Sequence, residues 1–294
     1  MSNKFKKTVA LICAVCLAFS VMAMAASAEG SSDSTETELT DIQIYVDGLL
    51  ASRGYLKNGI TYASFESLCN AIGLDADVKW TDTADTANGT DSTITTMTAA
   101  VDGIEISYTV GNYYLCANGR YIYLPDGCIE NDGTVLLPVR ALAKIFTFDL
   151  SKDQGKNIVR IGTENMAVIE SGADFYNADD AALLSHIIYA EAGNQPMAGM
   201  IGVGNVVLNR VASPLFPNTV RDVIYAPGQF EPVSRGSINL TPNADSVVAA
   251  YLALEGYNTV GDSMYFHNPG SSTSYLNSAT FVVKIQDHVF FSEG

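Results

Sequence analysis

The chain has 294 residues, and its 32 Asp and Glu against 16 Lys and Arg give a formal net charge of −16 at pH 7. So acidic a chain lacks the basic surface that phosphates require, which excludes a nucleic-acid partner. Hydrophobic residues make up 48% of the sequence, which is enough for a packed core and excludes a wholly disordered chain. At roughly 150 residues a domain, the length predicts one or two domains.

The amino terminus has the pattern of a secretory signal peptide. Three lysines within the first seven residues precede an apolar run from Val9 to Ala25, and Ala26-Ser27-Ala28 then fits an A-x-A cleavage site. We expect residues 1–28 to be removed near Ala28 and the mature chain to be secreted to the cell wall. An uncleaved anchor is the alternative, because the run approaches the ~18 residues of a membrane span. No later segment is apolar enough to span a membrane.

The next part of the chain reads as a short linker followed by a duplicated domain. Residues 29–40 are polar and acidic and predict a flexible tether. Residues 41–162 contain two segments of similar pattern, Gly59–Leu68 and Gly133–Leu142. Each has a turn glycine, a short apolar strand and a helix with apolar residues three and four apart. Further strands are predicted at 42–46, 103–110, 121–124 and 158–161, and a long surface loop at 81–98.

Three cysteines remain once the leader is removed, namely Cys69, Cys116 and Cys128. An odd number cannot form a closed disulfide framework. Two interpretations stay open: a bridge between Cys116 and Cys128 with Cys69 buried, or three reduced thiols.

The carboxy-terminal residues predict a different, mostly helical domain. After a second connector, 163–178, the pattern of residues 179–294 indicates four helices and three short strands, so the fold class is α+β. The predicted helices run from the Asn177 or Asp179 cap to Glu191, from Pro196 to Arg210, from Thr219 to Tyr225 and from Thr241-Pro242 to about Gly256. The predicted strands are Met264–His267, Phe281–Ile285 and His288–Phe291.

Glu191 is the residue that physical reasoning singles out. It follows Leu184 by seven residues and Ile187 by four, so it projects along the apolar face of its helix. It also lies near the helix carboxyl terminus, where the dipole disfavours a negative charge. Both effects raise the pKa of a carboxyl group, as general acid catalysis on a glycosidic oxygen requires. The alternative is a surface glutamate just past the helix end.

The duplicated domain carries a family resemblance from about Leu39 to Gly162. Three segments, Tyr45–Gly48, Val78–Trp80 and Leu136–Leu142, resemble the repeat domain named after the amino-terminal part of copper amine oxidases. All three histidines of the chain lie outside this region, and copper sites depend on imidazole ligands, so no copper site is predicted. The resemblance implies a wall-associated spacer or binding module. The alternative is a stalk that touches nothing.

The carboxy-terminal domain resembles the SleB-type cell wall hydrolases from about Ala181 to Phe290. The segments that carry the resemblance occur in the family's order: Tyr189–Pro196, Val206–Val211, Phe216–Val220, Val223–Tyr225, Gly228–Val233, Ile238–Pro242 and Met264–Pro269. This chain departs from many members directly after Glu191, where Gly193-Asn194-Gln195 replaces a basic residue and a second acid. The departure puts substrate preference in doubt more than the chemistry.

The second resemblance implies a lysozyme-like or resuscitation-factor-like core that degrades peptidoglycan. Glu191 matches the family's catalytic glutamate, and the reaction implied is lytic transglycosylation of the bond between N-acetylmuramic acid (MurNAc) and N-acetylglucosamine (GlcNAc). Glu191 would protonate the leaving oxygen and then help to deprotonate the muramyl C6 hydroxyl. This reaction needs no cofactor, and because it activates no water, a paired second carboxylate is not obligatory.

Seven further residues are predicted to bind the glycan strands. Amides bind acetamido groups or hydroxyls, aromatic rings stack on sugar faces, and a histidine donates or accepts a hydrogen bond. The residues are Asn209, Arg210, Tyr225, Gln229, Phe230, Tyr265 and His267. Core packing is the alternative for each aromatic residue.

Two of the charged residues near these motifs have alternative roles. Arg210 either binds a carboxylate of the lactyl group or peptide stem, or pairs with Asp222. Glu231 is the best candidate for a second carboxylate, although Pro232 indicates an exposed loop.

Two other functions compete with glycan cleavage. An N-acetylmuramoyl-L-alanine amidase would need zinc, but His186, His267 and His288 lack the short spacing typical of zinc ligands, so no metal is predicted. A non-catalytic wall-binding protein would depend on the duplicated domain instead.

Overall fold

The computed structural model describes residues 39–84, 93–124, 126–153, 155–169, 171–268 and 278–294. The predicted signal peptide and most of the predicted linker after it lie outside the described residues. The chain divides into two compact units, of which the first ends at Gly172 and the second comprises Ala173–Gly294. The division falls inside the predicted connector 163–178, whose bounds remain a prediction.

The first unit is built from two β-sheets and two short helices. The elements are β1 (Thr40–Val46), β2 (Leu49–Lys57), β3 (Ile60–Ser64), α1 (Phe65–Ala71), β4 (Ala76–Ala84), β5 (Thr93–Val101), β6 (Ile104–Thr109), β7 (Tyr114–Ala117), β8 (Arg120–Tyr123), β9 (Ile129–Asn131), β10 (Thr134–Pro138), α2 (Val139–Phe146), β11 (Asp149–Lys152) and β12 (Ile158–Gly162). Seven of the strands form one sheet in the order β11-β12-β1-β2-β3-β10-β9, and the other five form a second sheet in the order β4-β5-β6-β7-β8. Among the strand pairs of the described residues, only β1 and β12 are parallel.

Tight turns with glycine as the second residue set the register of this unit. At five strand connections an Asn or Asp and the following Gly both have positive φ, as in the two-residue turns whose twist matches antiparallel strands. These pairs are Asp47-Gly48, Asn58-Gly59, Asp102-Gly103, Asn118-Gly119 and Asp132-Gly133.

The predicted duplication is confirmed as a pair of strand–helix units. The first copy forms β3 and α1, and the second forms β10 and α2. The two strands pair with each other, with Ala63 opposite Leu137. The apolar residues predicted on the helices, among them Leu68 and Leu142, are completely buried in the core.

The prediction of a surface loop over residues 81–98 is wrong. Strand β4 continues to Ala84 and β5 begins at Thr93, and the two pair in register with Trp80 opposite Met97. Threonine is β-branched and suits a half-exposed strand, so the threonines that suggest a loop belong to a hairpin. Residues 85–92 lie outside the described residues.

The structure does not join Cys116 to Cys128. Cys128 is half-buried near Tyr108, and burial together with the nearby Cys128 thiol raises the pKa of the Tyr108 hydroxyl. Cys69 is fully buried on α1, and burial raises the pKa of its thiol to about 12. The structure therefore favours reduced thiols over a bridge.

The second unit is mostly helical and ends in a three-stranded sheet of order β13-β15-β14. A short 3₁₀ helix, Gly172–Phe175, leads into it. Its elements are α3 (Ala178–Ala192), α4 (Met197–Ala212), α5 (Val220–Tyr225), α6 (Glu231–Arg235), a 3₁₀ helix (Ser237–Asn239), α7 (Ala244–Leu254), β13 (Tyr265–His267), β14 (Thr280–Ile285) and β15 (His288–Ser292).

Side-chain caps begin three of the α-helices described in the second unit. Asn177 accepts hydrogen bonds from the backbone N–H groups of Asp179 and Asp180, Thr219 caps α5, and Asn243 caps α7. The four predicted helices are confirmed, whereas α6 was not predicted. Among the described residues, no helix has the length and apolar character needed to cross a membrane.

Close helix packing requires glycine on α4. A Cβ on Gly202 would lie 2.8 Å from both Phe290 and Val260, and one on Gly204 would lie 3.1 Å from Ile188 and Ala253. These contacts bring α4 against α3, α7 and β15. The α+β class is confirmed, with a β-rich first unit and a helical second unit.

Candidate active site

Glu191 lies in the last turn of α3, on the side of the helix that faces the core. Leu184 and Ile187, which precede it by seven and four residues, are completely buried. The side chain of Glu191 is half-buried, and the N–H of Gly193 closes the helix by donating to the carbonyl of Tyr189. The alternative of a surface glutamate beyond the helix end is wrong.

The carboxyl group of Glu191 has an unusually high pKa. Burial is the main cause, the negative charge of Glu231 adds to it, and the positive charge of Arg210 opposes it. Together they raise the pKa of Glu191 from 4.5 to about 7. At neutral pH the group can therefore both give and take a proton.

Arg210, in the last turn of α4, is a buried cation held by aromatic rings. Its guanidinium carbon lies 5.1 Å from the ring centroids of Phe216 and Phe230 and 5.8 Å from that of Tyr265. Its Nε donates a hydrogen bond to the carbonyl of Met264 at 2.7 Å. The cation–π contacts and this bond hold the charge where it acts on Glu191.

Glu231 is the first residue of the short helix α6 and its side chain is largely exposed. It forms an ion pair with Arg235 one turn later. Its carboxylate is still near enough to Glu191 to raise the pKa of that residue. The structure thus brings the two carboxyl groups and Arg210 into one electrostatic group.

Hydrogen bonds from later segments fix the end of α3. Gln195, which is buried, donates to the carboxylate of Asp287 at 3.3 Å and accepts from the backbone N–H of the same residue at 3.2 Å. His186 Nδ1 lies 2.8 Å from the carbonyl oxygen of Ile238. These contacts connect the residues around Glu191 to the β14–β15 turn and to the segment after α6.

Asn209 has a structural contact that its predicted sugar-binding role did not anticipate. Its side-chain N–H groups donate to the carbonyls of Gly261 and Ser263 at 2.8 and 2.9 Å. Both amide donors therefore hold the loop before β13. A role for Asn209 in substrate binding remains a prediction.

The other predicted binding residues lie in three different surroundings. Phe230 is buried and Tyr265 half-buried, and both contact Arg210. Tyr225, the last residue of α5, and Gln229, in the segment between α5 and α6, are exposed. His267 is half-buried, and its ring stacks on Phe291 at 5.3 Å between centroids.

The remaining histidine, His288, packs against an aromatic ring. The ring of His288 lies 5.2 Å from that of Phe266, and burial lowers the pKa of His288. Within the described ranges, no group of three His, Cys, Asp or Glu side chains is arranged to hold a metal ion.

Two contacts of this region were not predicted from the sequence. Phe216 was part of a recognised motif, but its place beside Arg210 depends on how the chain folds back after α4. Gln195 and Asp287 are 92 residues apart, so no local pattern could have paired them.

Comparison with known proteins places each region in a family. Residues 194–291 match the model of the Cell Wall Hydrolase family, and residues 49–161 match that of the Copper amine oxidase N-terminal domain. Glu191 lies just before the first of these ranges.

Relatives of the second region are proteins of bacilli. A spore cortex-lytic enzyme of Bacillus cereus is 37% identical over 116 residues, which are 39% of this chain and 45% of that protein. The solved catalytic domain of the Bacillus cereus SleB protein is 36% identical and is matched over 40% of this chain and 92% of its own, with a TM-score of 0.38. The catalytic domain of the germination-specific lytic transglycosylase SleB from Bacillus anthracis is 35% identical over 97% of its chain, also with a TM-score of 0.38.

The carboxy-terminal domain therefore belongs to the cell wall hydrolase family, and a copper amine oxidase N-terminal-like domain precedes it. Within that family it is similar to the spore cortex-lytic enzymes, as the sequence resemblance indicates. The chain spans less than half the length of the Bacillus cereus enzyme.

The raised pKa of Glu191 makes stability depend on pH. The unfolded carboxyl titrates near 4.5 and the folded one near 7, so between these values the folded state binds more protons and the free energy of unfolding falls as pH rises. This stabilisation is fully present below pH 4.5 and is lost above pH 7. Glu191→Gln does not lose stability in this way. The difference between its free energy of unfolding and that of wild type should therefore rise by about 1–3 kcal/mol from pH 4.5 to pH 8, as measured by urea unfolding.

Glu293 provides a control, because Glu293→Gln removes an exposed carboxyl group and leaves that of Glu191 in place. Its stability curve should run parallel to that of wild type. A Glu191→Gln curve that is also parallel to wild type would mean that Glu191 titrates normally.

Proposed function

We propose that this chain is a secreted enzyme that degrades peptidoglycan, and that its carboxy-terminal domain cleaves the MurNAc–GlcNAc bond as a lytic transglycosylase. The observation that carries the proposal is the half-buried Glu191, whose pKa of about 7 suits both halves of the reaction. Membership of the cell wall hydrolase family supports the substrate class. The Bacillus anthracis relative is a germination-specific lytic transglycosylase, which supports the reaction type.

In the first step the protonated carboxyl of Glu191 donates its proton to the glycosidic oxygen. The bond between that oxygen and C1 of MurNAc breaks, and the GlcNAc hydroxyl leaves. A carboxyl group with the ordinary pKa of 4.5 would be almost fully ionised at neutral pH. Burial raises the pKa and so supplies the acid form that this step needs.

In the second step the newly formed carboxylate accepts the proton of the muramyl C6 hydroxyl. The C6 oxygen bonds to C1 and closes a 1,6-anhydro ring, and Glu191 is again protonated. No water enters the reaction, so one carboxyl group suffices for both proton transfers. The nearby positive charge of Arg210 favours the carboxylate that exists between the two steps.

We assign glycan binding to those of the predicted binding residues that are exposed or half-buried. Tyr225 and Gln229 are open to solvent, and Tyr265 and His267 are partly so. We assign Arg210 and Phe230 a supporting role, because both are buried and pack against each other. Secretion to the wall rests on the predicted signal peptide.

Glu191→Gln should abolish cleavage while it leaves peptidoglycan binding intact. The amide keeps the shape of the side chain but donates no acidic proton, and general acid–base catalysis contributes about 10²–10⁴ in rate. The measurement is mass spectrometry of fragments released from purified peptidoglycan, with Glu293→Gln as the matched control. Wild type and control should release fragments that end in anhydro-muramic acid, each lighter by one water than a hydrolysis product.

Two outcomes would contradict this assignment. Undiminished release by a folded Glu191→Gln variant would remove Glu191 from the mechanism. Reducing-end muramic acid from the wild type would mean a hydrolase, which needs a second carboxylate to activate water.

Glu231→Gln should change the pH dependence and not the product. Its negative charge raises the pKa of Glu191, so its removal lowers that pKa and moves the alkaline limb of the pH–rate profile to lower pH. At pH 7 the loss should be less than about tenfold, since one pKa unit changes the protonated fraction at most tenfold. Loss of all activity at every pH would instead assign Glu231 a direct part in the reaction.

A further inference from the structure

The first unit contains a groove that the proposed reaction does not use. It has a volume of about 440 Å³, within the range of small-molecule and peptide sites. One wall is helix α2, and the others come from the β2–β3 turn and strands β3, β8, β11 and β12.

The groove is positively charged in a chain that is strongly acidic. Among the described residues, its lining includes Arg140, Lys144 and Lys152 and no Asp or Glu. Among the lining residues, Tyr123 has a raised pKa, caused first by burial and then by the negative charge of Asp126. With twice as many acids as bases in the whole chain, such a lining is unlike the average surface.

Two of the three cations come from one face of α2. Arg140 and Lys144 are four residues apart, and like charges at this spacing repel each other. Arg140 and Lys152 are exposed, and neither forms an ion pair with any residue in the described part of the chain. An anion in the groove would offset the repulsion.

Most of the other lining residues are apolar. Ile60 and Leu150 are half-buried and Val159 is buried, and Thr61, Tyr123 and Ser151 also line the groove. The groove therefore offers cations for carboxylates and apolar surface for small side chains.

We propose that this groove binds a short acidic peptide, namely the stem peptide of peptidoglycan. Such a stem carries carboxylates together with alanine methyl groups, and it matches both the cations and the apolar lining. A polyol phosphate would match the cations but leave the apolar surface unused. This proposal rests on the proposed function only for the choice of polymer, and it gives the first unit the task of holding the wall.

The test measures binding of the synthetic peptide L-Ala-γ-D-Glu-meso-diaminopimelyl-D-Ala to the mature chain by isothermal titration calorimetry. Arg140→Gln/Lys152→Gln should weaken binding about tenfold or more, because each lost charge-assisted bond contributes appreciably to affinity. The control Arg53→Gln/Lys79→Gln removes one Arg and one Lys from exposed strand positions of the same unit and should bind as wild type does. Amidation of the peptide carboxylates should abolish binding.

Three results would overturn the proposal: no binding of the peptide to wild type, equal binding by the groove variant with an unchanged melting temperature, or binding of a glycerol phosphate polymer in its place. The peptide contains no glycosidic bond, so its binding is independent of catalysis. Failure of the groove would leave cleavage by Glu191 intact, and failure of the proposed reaction would leave peptide binding intact.

Discussion

The constraint on which the second unit depends is the partial burial of one carboxyl group. The apolar residues of α3 lie three and four positions apart, and this spacing directs Glu191 towards the core. An ionised carboxylate is costly to remove from water, so the protonated form is favoured there to a degree unusual for glutamate. The proposed chemistry depends on this shift in the protonation equilibrium of Glu191.

Two opposing charges set the position of that equilibrium. Glu231 raises the pKa of Glu191 and Arg210 lowers it. Arginine suits the second role, because its guanidinium stays charged among aromatic rings and is more weakly hydrated than an ammonium group. The two hydrogen bonds between Gln195 and Asp287 then fix the chain just beyond Glu191, so the spacing of the charges depends on the β14–β15 turn.

Local patterns predicted much of the fold, and long-range contacts account for what they missed. The 3.6-residue periodicity and the capping residues predicted α3 and α4 closely, and the duplication predicted two strand–helix units. The β4–β5 hairpin was missed because its threonines are polar in composition but β-branched in shape. At the site, Glu191 could be predicted from its own helix, whereas the rings around Arg210 come from the loop after α4, the residue before α6 and strand β13.

The central claim is that Glu191 is still about half protonated near pH 7, and titration of its own carboxyl tests this most directly. The measurement is the ¹³C chemical shift of the Glu191 side-chain carboxyl in the labelled protein as a function of pH, with the resonance assigned by its absence in Glu191→Gln. The account predicts a midpoint near 7, which moves to lower pH in Glu231→Gln. A midpoint near 4.5 in the folded wild-type protein would contradict it.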